Sequence, residues 1–499
     1  RRIQAAVDAA HPGDWILIGP GDYRERGSLD PEDPAGVLIE TDGLHVRGMN
    51  RNTVIVDGTK PGARKPCDPA YHSQFYGPKD ADGHWAGMNG VYVDEATGVT
   101  VDNLTACNFL ATKHGEGGNE IWFNGGDGTG TIGMHEYAGS YLTATSTYSH
   151  GVDKPRGEYG IFVSNADGPG LIVHTYASNM GDAAYYVGAC PNCNVVLRDA
   201  HAQHSALAYS GTNSGGNLII EDSEFDHNKT GPTSNSQNND DRPSPEDGAC
   251  PNGGTGPTGT TSCTIWRNNY SHDNNDPNVP GSGSGLSGSA PVGTGFVLAG
   301  TRNVTLWHNR IEHNGAWGVL VADLPDQETP PPGANCQGGT QLPEDTCLYQ
   351  AWGNETANNT FKDNGFFGND TNGDIGLATN EHDPGNCFHG NTDPDGLTSD
   401  PPNIQDPPYD SCANANAGDY GPLAAQALCA TQLLAPCPSN AAAAYPRPTK
   451  VKLHMPPPQP TMPNPCTGVP ANPWCAGGHP ASRSDAQSGS SAWRRTLMT

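Results

Sequence analysis

GLIVHTYASNMG (170–181), NVVLRDAHAQHS (194–205) and NLIIEDSEFDHN (217–228) begin 24 and 23 residues apart and align without gaps. GVTVDNLTACNF (98–109), CTIWRNNYSHDN (263–274, shifted by one) and NVTLWHNRIEHN (303–314) follow the same pattern. Apolar residues alternate: Val99 and Val101, Leu171 and Val173, Val195 and Leu197, Leu218 and Ile220, Val304 and Leu306. A further inward position five residues on holds Phe225 and Ile311, and several units end in Asn, as at Asn228 and Asn314. Period-two alternation is the mark of a strand with one buried face.

A second short strand accompanies each unit: GVYVDEA (90–96), YGIFVSN (159–165), AAYYVGA (183–189), ALAYSGT (206–212), TGFVLAG (294–300) and WGVLVAD (317–323). Two strands and Gly/Asn turns fill a period of 23–24 residues, leaving no room for a helix. Such units cannot bury a face alone and must stack as a parallel β-helix, with coils about 4.8 Å apart. Asn recurring at one coil position predicts stacked amides. The Asn-x-Ser/Thr triplets at Asn228 and Asn303 read as the same turn chemistry.

The composition agrees. Of 499 residues only 34% are hydrophobic and 16% charged, with 65 Gly and 44 Pro, as turns demand. A formal charge of -28 argues against nucleic acid or an anionic membrane as partner, since both need a basic face. It is compatible with neutral substrates or bound Ca2+, and equally with plain extracellular solubility. No stretch of 18 apolar residues exists to form a membrane-spanning helix. The 14 cysteines are dispersed through loop-like sequence, fitting an exported protein with several disulfides. The chain opens on Arg1-Arg2-Ile3 with neither Met nor leader, as expected of a processed export or a fragment.

A solenoid needs closed ends. In RRIQAAVDAAHPGDWILIGPGDYRE, Ile3, Ala6, Val7 and Ala10 make one face of a short helix, Pro12-Gly13 ends it, and Trp15–Ile18 is a first strand. This opening, with the repeat, resembles the right-handed parallel β-helix proteins of the pectin-lyase-like superfamily over about residues 1–390. The resemblance implies fold more than function, because the superfamily spans lyases, hydrolases, epimerases, adhesins and copper-maturation proteins. The expected organisation is a cap and first strand (1–36), coils (37–325) with an inserted loop region at 231–292, last coils with a Cys-rich cap (326–440), and a Pro-rich disordered tail (441–499). Cys466 and Cys475 are expected to tie a small loop in that tail. Cys190 and Cys193, between two strands, read as a local disulfide at a coil corner.

Taking Ile161, Tyr185 and Leu207 as equivalent inward positions puts Glu158, Asp182 and His204 in one column, about 5 Å apart coil to coil. Two carboxylates with a His are equipment for acid/base or nucleophilic glycoside chemistry, so these are the candidate catalytic residues. They are equally ordinary strand-entry residues. Phe162 and Tyr186, one position along, face outward as a candidate substrate platform for sugar rings, unless a loop or the tail covers them. In NSQNNDDRPSPEDG (235–248), Asp240 and Asp241, with Asn238 and Asn239, offer hard oxygen ligands for Ca2+, or read as a solvated acidic loop. NTDPDGLTSD (391–400) is a weaker version. His454, Met455 and Met462 in the tail offer soft-metal donors.

The ordered NTD…DD…GHG…RIK set of superfamily polygalacturonases is absent: NTD at 391–393 follows the single DD at 240–241, and GHG and RIK do not occur. The few strand-borne basic residues, Arg198, Arg267 and Arg310, form no expected column with acidic ligands. GSGSG (281–285) lacks the strand–turn–helix setting of a nucleophile elbow. The sequence therefore points to a secreted β-helix that binds or processes an extracellular polysaccharide. The alternatives are a non-catalytic surface or matrix scaffold, possibly Ca2+-stabilised, and a metal-delivery factor.

Overall fold

In a computed structural model of the chain, the inward residues of every coil share one core running from Ile3 to Ile404. The structure describes residues 2–476 except 114–116, 128–131, 152–154, 191, 238–253, 282–284, 327–335, 337, 344–345 and 432–444. The Ca2+ candidates Asp240 and Asp241 thus lie outside the described residues.

One wall of the solenoid is an 11-stranded parallel sheet from Ala35–Ile39 to Ser399–Asp400. Its middle strands are Tyr159–Ser164, Ala183–Gly188, Leu207–Thr212 and Thr230–Asn235. The other walls are two leaves of a 19-stranded assembly, joined where Ala166–Ser178 and Val195–Gln203 run through both. The first leaf includes Leu218–Glu221, Thr264–Arg267 and Val304–Trp307; the second includes Glu224–Asp226, Tyr270–His272 and Arg310–Glu312.

The expected inward pairs are buried, with one slip. Gly170 pairs with Val195 and Ile172 with Leu197, so the inward residue of that coil is Ile172, not Leu171 or Val173. Leu171, Ile172 and Val173 are all apolar, and sequence alternation does not choose among three. The expected loop insertion over 231–292 also differs. Thr230–Asn235 is an in-register strand, and Thr264–Arg267 with Tyr270–His272 build a coil between two loops.

Amide ladders brace the corners. Asn269 Nδ2 donates to Asn309 Oδ1, Asn309 to Asn359, and Asn359 to Asn391, each at 3.0 Å. A second ladder links Asn228, Asn274, Asn314 and Asn364 at 3.0–3.3 Å. Each amide also caps a main-chain carbonyl, as Asn309 does for Trp266, satisfying backbone that the turns leave unpaired.

The N-terminal helix is only Ile3–Val7. Glu25 accepts the Ile3 amide at 2.9 Å, and the Gln4 carboxamide pairs with both backbone groups of Leu38 (3.0 and 2.8 Å). At the other end, helix Pro422–Ala430 lays Leu423, Cys429 and Ala430 against Trp317, Leu320 and Ala378 on the outside of the 11-stranded sheet. Disulfides join Cys67–Cys107, Cys190–Cys193, Cys336–Cys347, Cys387–Cys412 and Cys466–Cys475. The corner pair and the tail loop form as expected, and no described cysteine is free.

The tail does not match the expectation of disorder where it is described, from Tyr445 to Ala476. It runs back along the solenoid from Asn278, which accepts Thr449 N at 3.0 Å, past Asn179 to Asn52, which accepts Gln459 N at 2.9 Å, and then Asn103, which accepts Met462 N at 2.9 Å. Trp474 ends against Gly19 in the first coil. A polyproline segment has few amide donors and unpaired carbonyls. The turn asparagines supply both partners.

Candidate functional site

Strand register fixes what stands beside Asp182. Tyr159 pairs with Ala183, Ala183 with Leu207, and Leu207 with Thr230. The residues just before them, Glu158, Asp182, Ala206 and Lys229, therefore form the column. Glu158 and Asp182 are neighbours as expected, but His204 is not with them. Tyr185 pairs with Tyr209 rather than Leu207, so the expected alignment is two residues out. A shift of two preserves the inward face, which is why alternation does not detect it.

The column is enclosed. Glu158 is buried and accepts Arg156 Nε at 2.8 Å. Asp182 interacts with the Tyr159 and Ser287 hydroxyls; burial, reinforced by Glu158, pushes its carboxyl up to about 6. Lys229 donates to the Gly288 carbonyl, and burial lowers its ammonium to about 7. Thr230 Oγ1 donates to Pro291 O at 3.0 Å. Residues 287–291 thus lie over these groups like a seal. Two groups titrating near neutrality are acid/base material, but here loop and side chains take up the space a substrate would need.

Phe162 and Tyr186 do point outward, in a row with Tyr92 and Trp122. Tyr92 stacks on Trp122 at 4.3 Å and 7°, and Trp122 on Phe162 at 5.3 Å and 13°. Tyr186 packs edgewise on Phe162 at 4.8 Å. Their faces are spent on one another, whereas stacking on a sugar requires an open face.

The second leaf is different. Its inward residues are Ala177, Ala202, Phe225 and Ile311; its outward residues are almost all titratable or hydroxylic. His201 Nε2 lies 2.6 Å from Asp226 Oδ1, and Gln203 Nε2 donates to Asp226 Oδ2 at 2.8 Å. His272 bridges Glu224 (3.1 Å) and Asp273 (2.8 Å), and the Tyr270 hydroxyl donates to Glu312 at 3.1 Å. His174 contacts Asp199. Burial alone would raise Asp226, but hydrogen bonds from His201, His227 and Gln203 hold it well below the usual carboxylate range. The His272 contact lowers Glu224, and the Asp226 contact raises His227.

Of these groups His174, Asp199, His201, Glu224 and Tyr270, together with Arg51, line a cleft of about 630 Å³. Gln459, Pro460, Thr461 and Pro463 of the tail form its far wall, with Arg51 Nη1 donating to Pro460 O at 3.0 Å. Ligand atoms of His201, Glu224 and the buried Asp226 lie within 4.8 Å of one another, so this trio, two of whose members line the cleft, could hold a cation. Glu355, Cys387 and His389 also converge, but Cys387 is in a disulfide. On the first leaf, Arg198 and Arg267 both grip Glu221 (2.6 and 2.7 Å), forming the basic–acidic column that sequence reasoning denied.

The cleft residues carried a signal. His174, Asp199, Asp222, Asn268, His308 and Asn358 recur at one corner with φ of 49–56°, and Asn179, His204, His227, Asp273, His313 and Asp363 at the next with φ of 53–65°. Asn, Asp and His tolerate this left-handed conformation better than other residues. The same types therefore serve the turn and stock its rim with donors and acceptors. His204 belongs to this second corner column. Burial, with His454 and His227 alongside, lowers its imidazole to about 4.

No family model and no curated protein matches the chain. Among solved structures, the A-module of a mannuronan C-5 epimerase from Azotobacter vinelandii is 13% identical over 72% of this chain and 83% of its own, with a TM-score of 0.40. A family 28 exopolygalacturonase of Yersinia enterocolitica is 12% identical over 78% and 71%, with a TM-score of 0.41. An alginate lyase from Paenibacillus sp. is 13% identical over 72% and 92%, with a TM-score of 0.32. By its own strand pairing, with each coil stacked in parallel on the next, the chain is a parallel β-helix.

Proposed function

We propose that this is an extracellular protein that binds a polysaccharide along the outer face of the second leaf and acts on it there. The observation that carries this reading is the cleft itself. Imidazoles, carboxylates, a guanidinium and a Tyr hydroxyl repeat coil after coil along a groove, offering a linear array of polar partners to a linear polyol. His201 and Glu224 are the acid/base candidates, being an imidazole and a carboxylate on adjacent coils at the cleft. The disulfides among the described residues agree with an oxidising, extracellular setting.

A polysaccharide panel assayed for both binding and product release tests this. Glu224→Gln is expected to lower product release at least 100-fold, while Asp182→Asn leaves it within about 3-fold. The opposite ranking would return catalysis to the Glu158–Asp182 column. Binding to no glycan would favour the second reading, a non-catalytic scaffold; the enclosure of Asp182 and Lys229 beneath residues 287–291 supports that reading.

A further inference from the structure

Where the tail crosses the second corner column, one of its residues is held with unusual care. The Asn179 side chain donates to His454 O at 2.7 Å and accepts His454 N at 3.1 Å, fixing that residue's backbone from both sides. The His454 ring then stacks on His204 at 3.8 Å and 13°. Asp276 reaches the same point from two coils on, just after strand Tyr270–His272. Its Oδ1 accepts Asn278 N at 2.8 Å, and Asn278 in turn binds the tail at Thr449.

His204 Nδ1 is buried and has no hydrogen-bond partner. A buried polar atom left unmatched is costly, so its retention asks for a ligand. Ligand atoms of His204, Asp276 and His454 lie within 4.8 Å of one another.

We infer that His204, Asp276 and His454 form a binding site for a divalent transition-metal ion of the zinc class, clipping the tail to the solenoid. Two imidazoles and one carboxylate are a borderline-soft donor set, suited to Zn2+ and poor for Ca2+, which takes six to eight oxygens. Zn–N and Zn–O bonds of about 2.0–2.2 Å put ligand atoms roughly 3.4 Å apart, so the exposed His454 ring must turn out of its parallel stack on His204 for the three donors to converge, leaving a fourth position for water. This site is separate from the cleft, and the inference does not rest on the polysaccharide reading.

The test is calorimetric titration of the untagged, chelator-treated full chain with ZnCl2, paired with limited proteolysis of the tail. One tight site is expected. His454→Ala should weaken it at least 100-fold, and its position on the exposed tail spares the fold. His204→Ala should do the same, checked for folding by circular dichroism, and Asp276→Asn should weaken it at least 10-fold. Zn2+ should slow tail cleavage in the parent and not in His454→Ala. The inference is overturned if His454→Ala binds Zn2+ as tightly as the parent, or if tight binding is lost in His201→Ala instead, which would put the ion in the cleft.

Discussion

Asp182 and Lys229 bend the pH–stability curve in opposite senses. Asp182 has a folded-state value, about 6, above its ordinary 3.8, so its contribution is fully present below about pH 4 and lost as pH rises through 6. Lys229, lowered from 10.5 to about 7, carries a penalty below pH 7 that is relieved as pH rises toward 10. Urea midpoints at pH 4.5 and 6.5, below the range where Lys229 releases its proton, should therefore converge in Asp182→Asn, removing on the order of 1–2 kcal/mol of the parent's difference. In Lys229→Met the slope between pH 7 and 10 should flatten. Neither group's role was legible in the sequence. Leu207 and Tyr209 satisfy the same alternation, and choosing Leu207 moved His204 into a column it does not occupy. Phe162 and Tyr186 were read correctly as outward, but the faces lost to their neighbours depend on ring orientation, which spacing does not encode.

Among the elements, the corner ladders carry the clearest stability prediction. Asn309 accepts Asn269 N at 3.0 Å through Oδ1 and caps Trp266 O at 3.0 Å through Nδ2. Asn309→Ala leaves both backbone groups buried and unmatched, an expected loss of about 2–4 kcal/mol in urea unfolding. A loss below about 1 kcal/mol would show that the ladder is decorative. The ladder was legible because Asn recurs at a fixed coil position. The tail was not: a polyproline run has no period of its own, and its docking is specified by asparagines 171 to 407 residues away. Disorder is the natural reading of such a segment when its partners are that remote.

At the scale of the molecule, stacked coils are bound chiefly to their neighbours, so a solenoid loses cooperativity toward its ends. Here the tail touches Asn278, Asn179, Asn52, Asn103 and Gly19 in succession, joining coils that otherwise communicate only through the stack. Removing residues 445–499 should leave the far-UV β signal intact but broaden urea unfolding, with a smaller apparent m-value as the first coils melt ahead of the middle. The overall architecture was legible because a period of 23–24 residues leaves one solution.

The strap also acts as a ruler. Solenoids commonly vary by gaining or losing whole repeats, since an added coil meets only its two neighbours. In this chain an extra coil anywhere between Gly19 and Asn278 would displace every later anchor by about 4.8 Å against a tail of fixed length. The number of coils in that span is thereby set by the length of the tail.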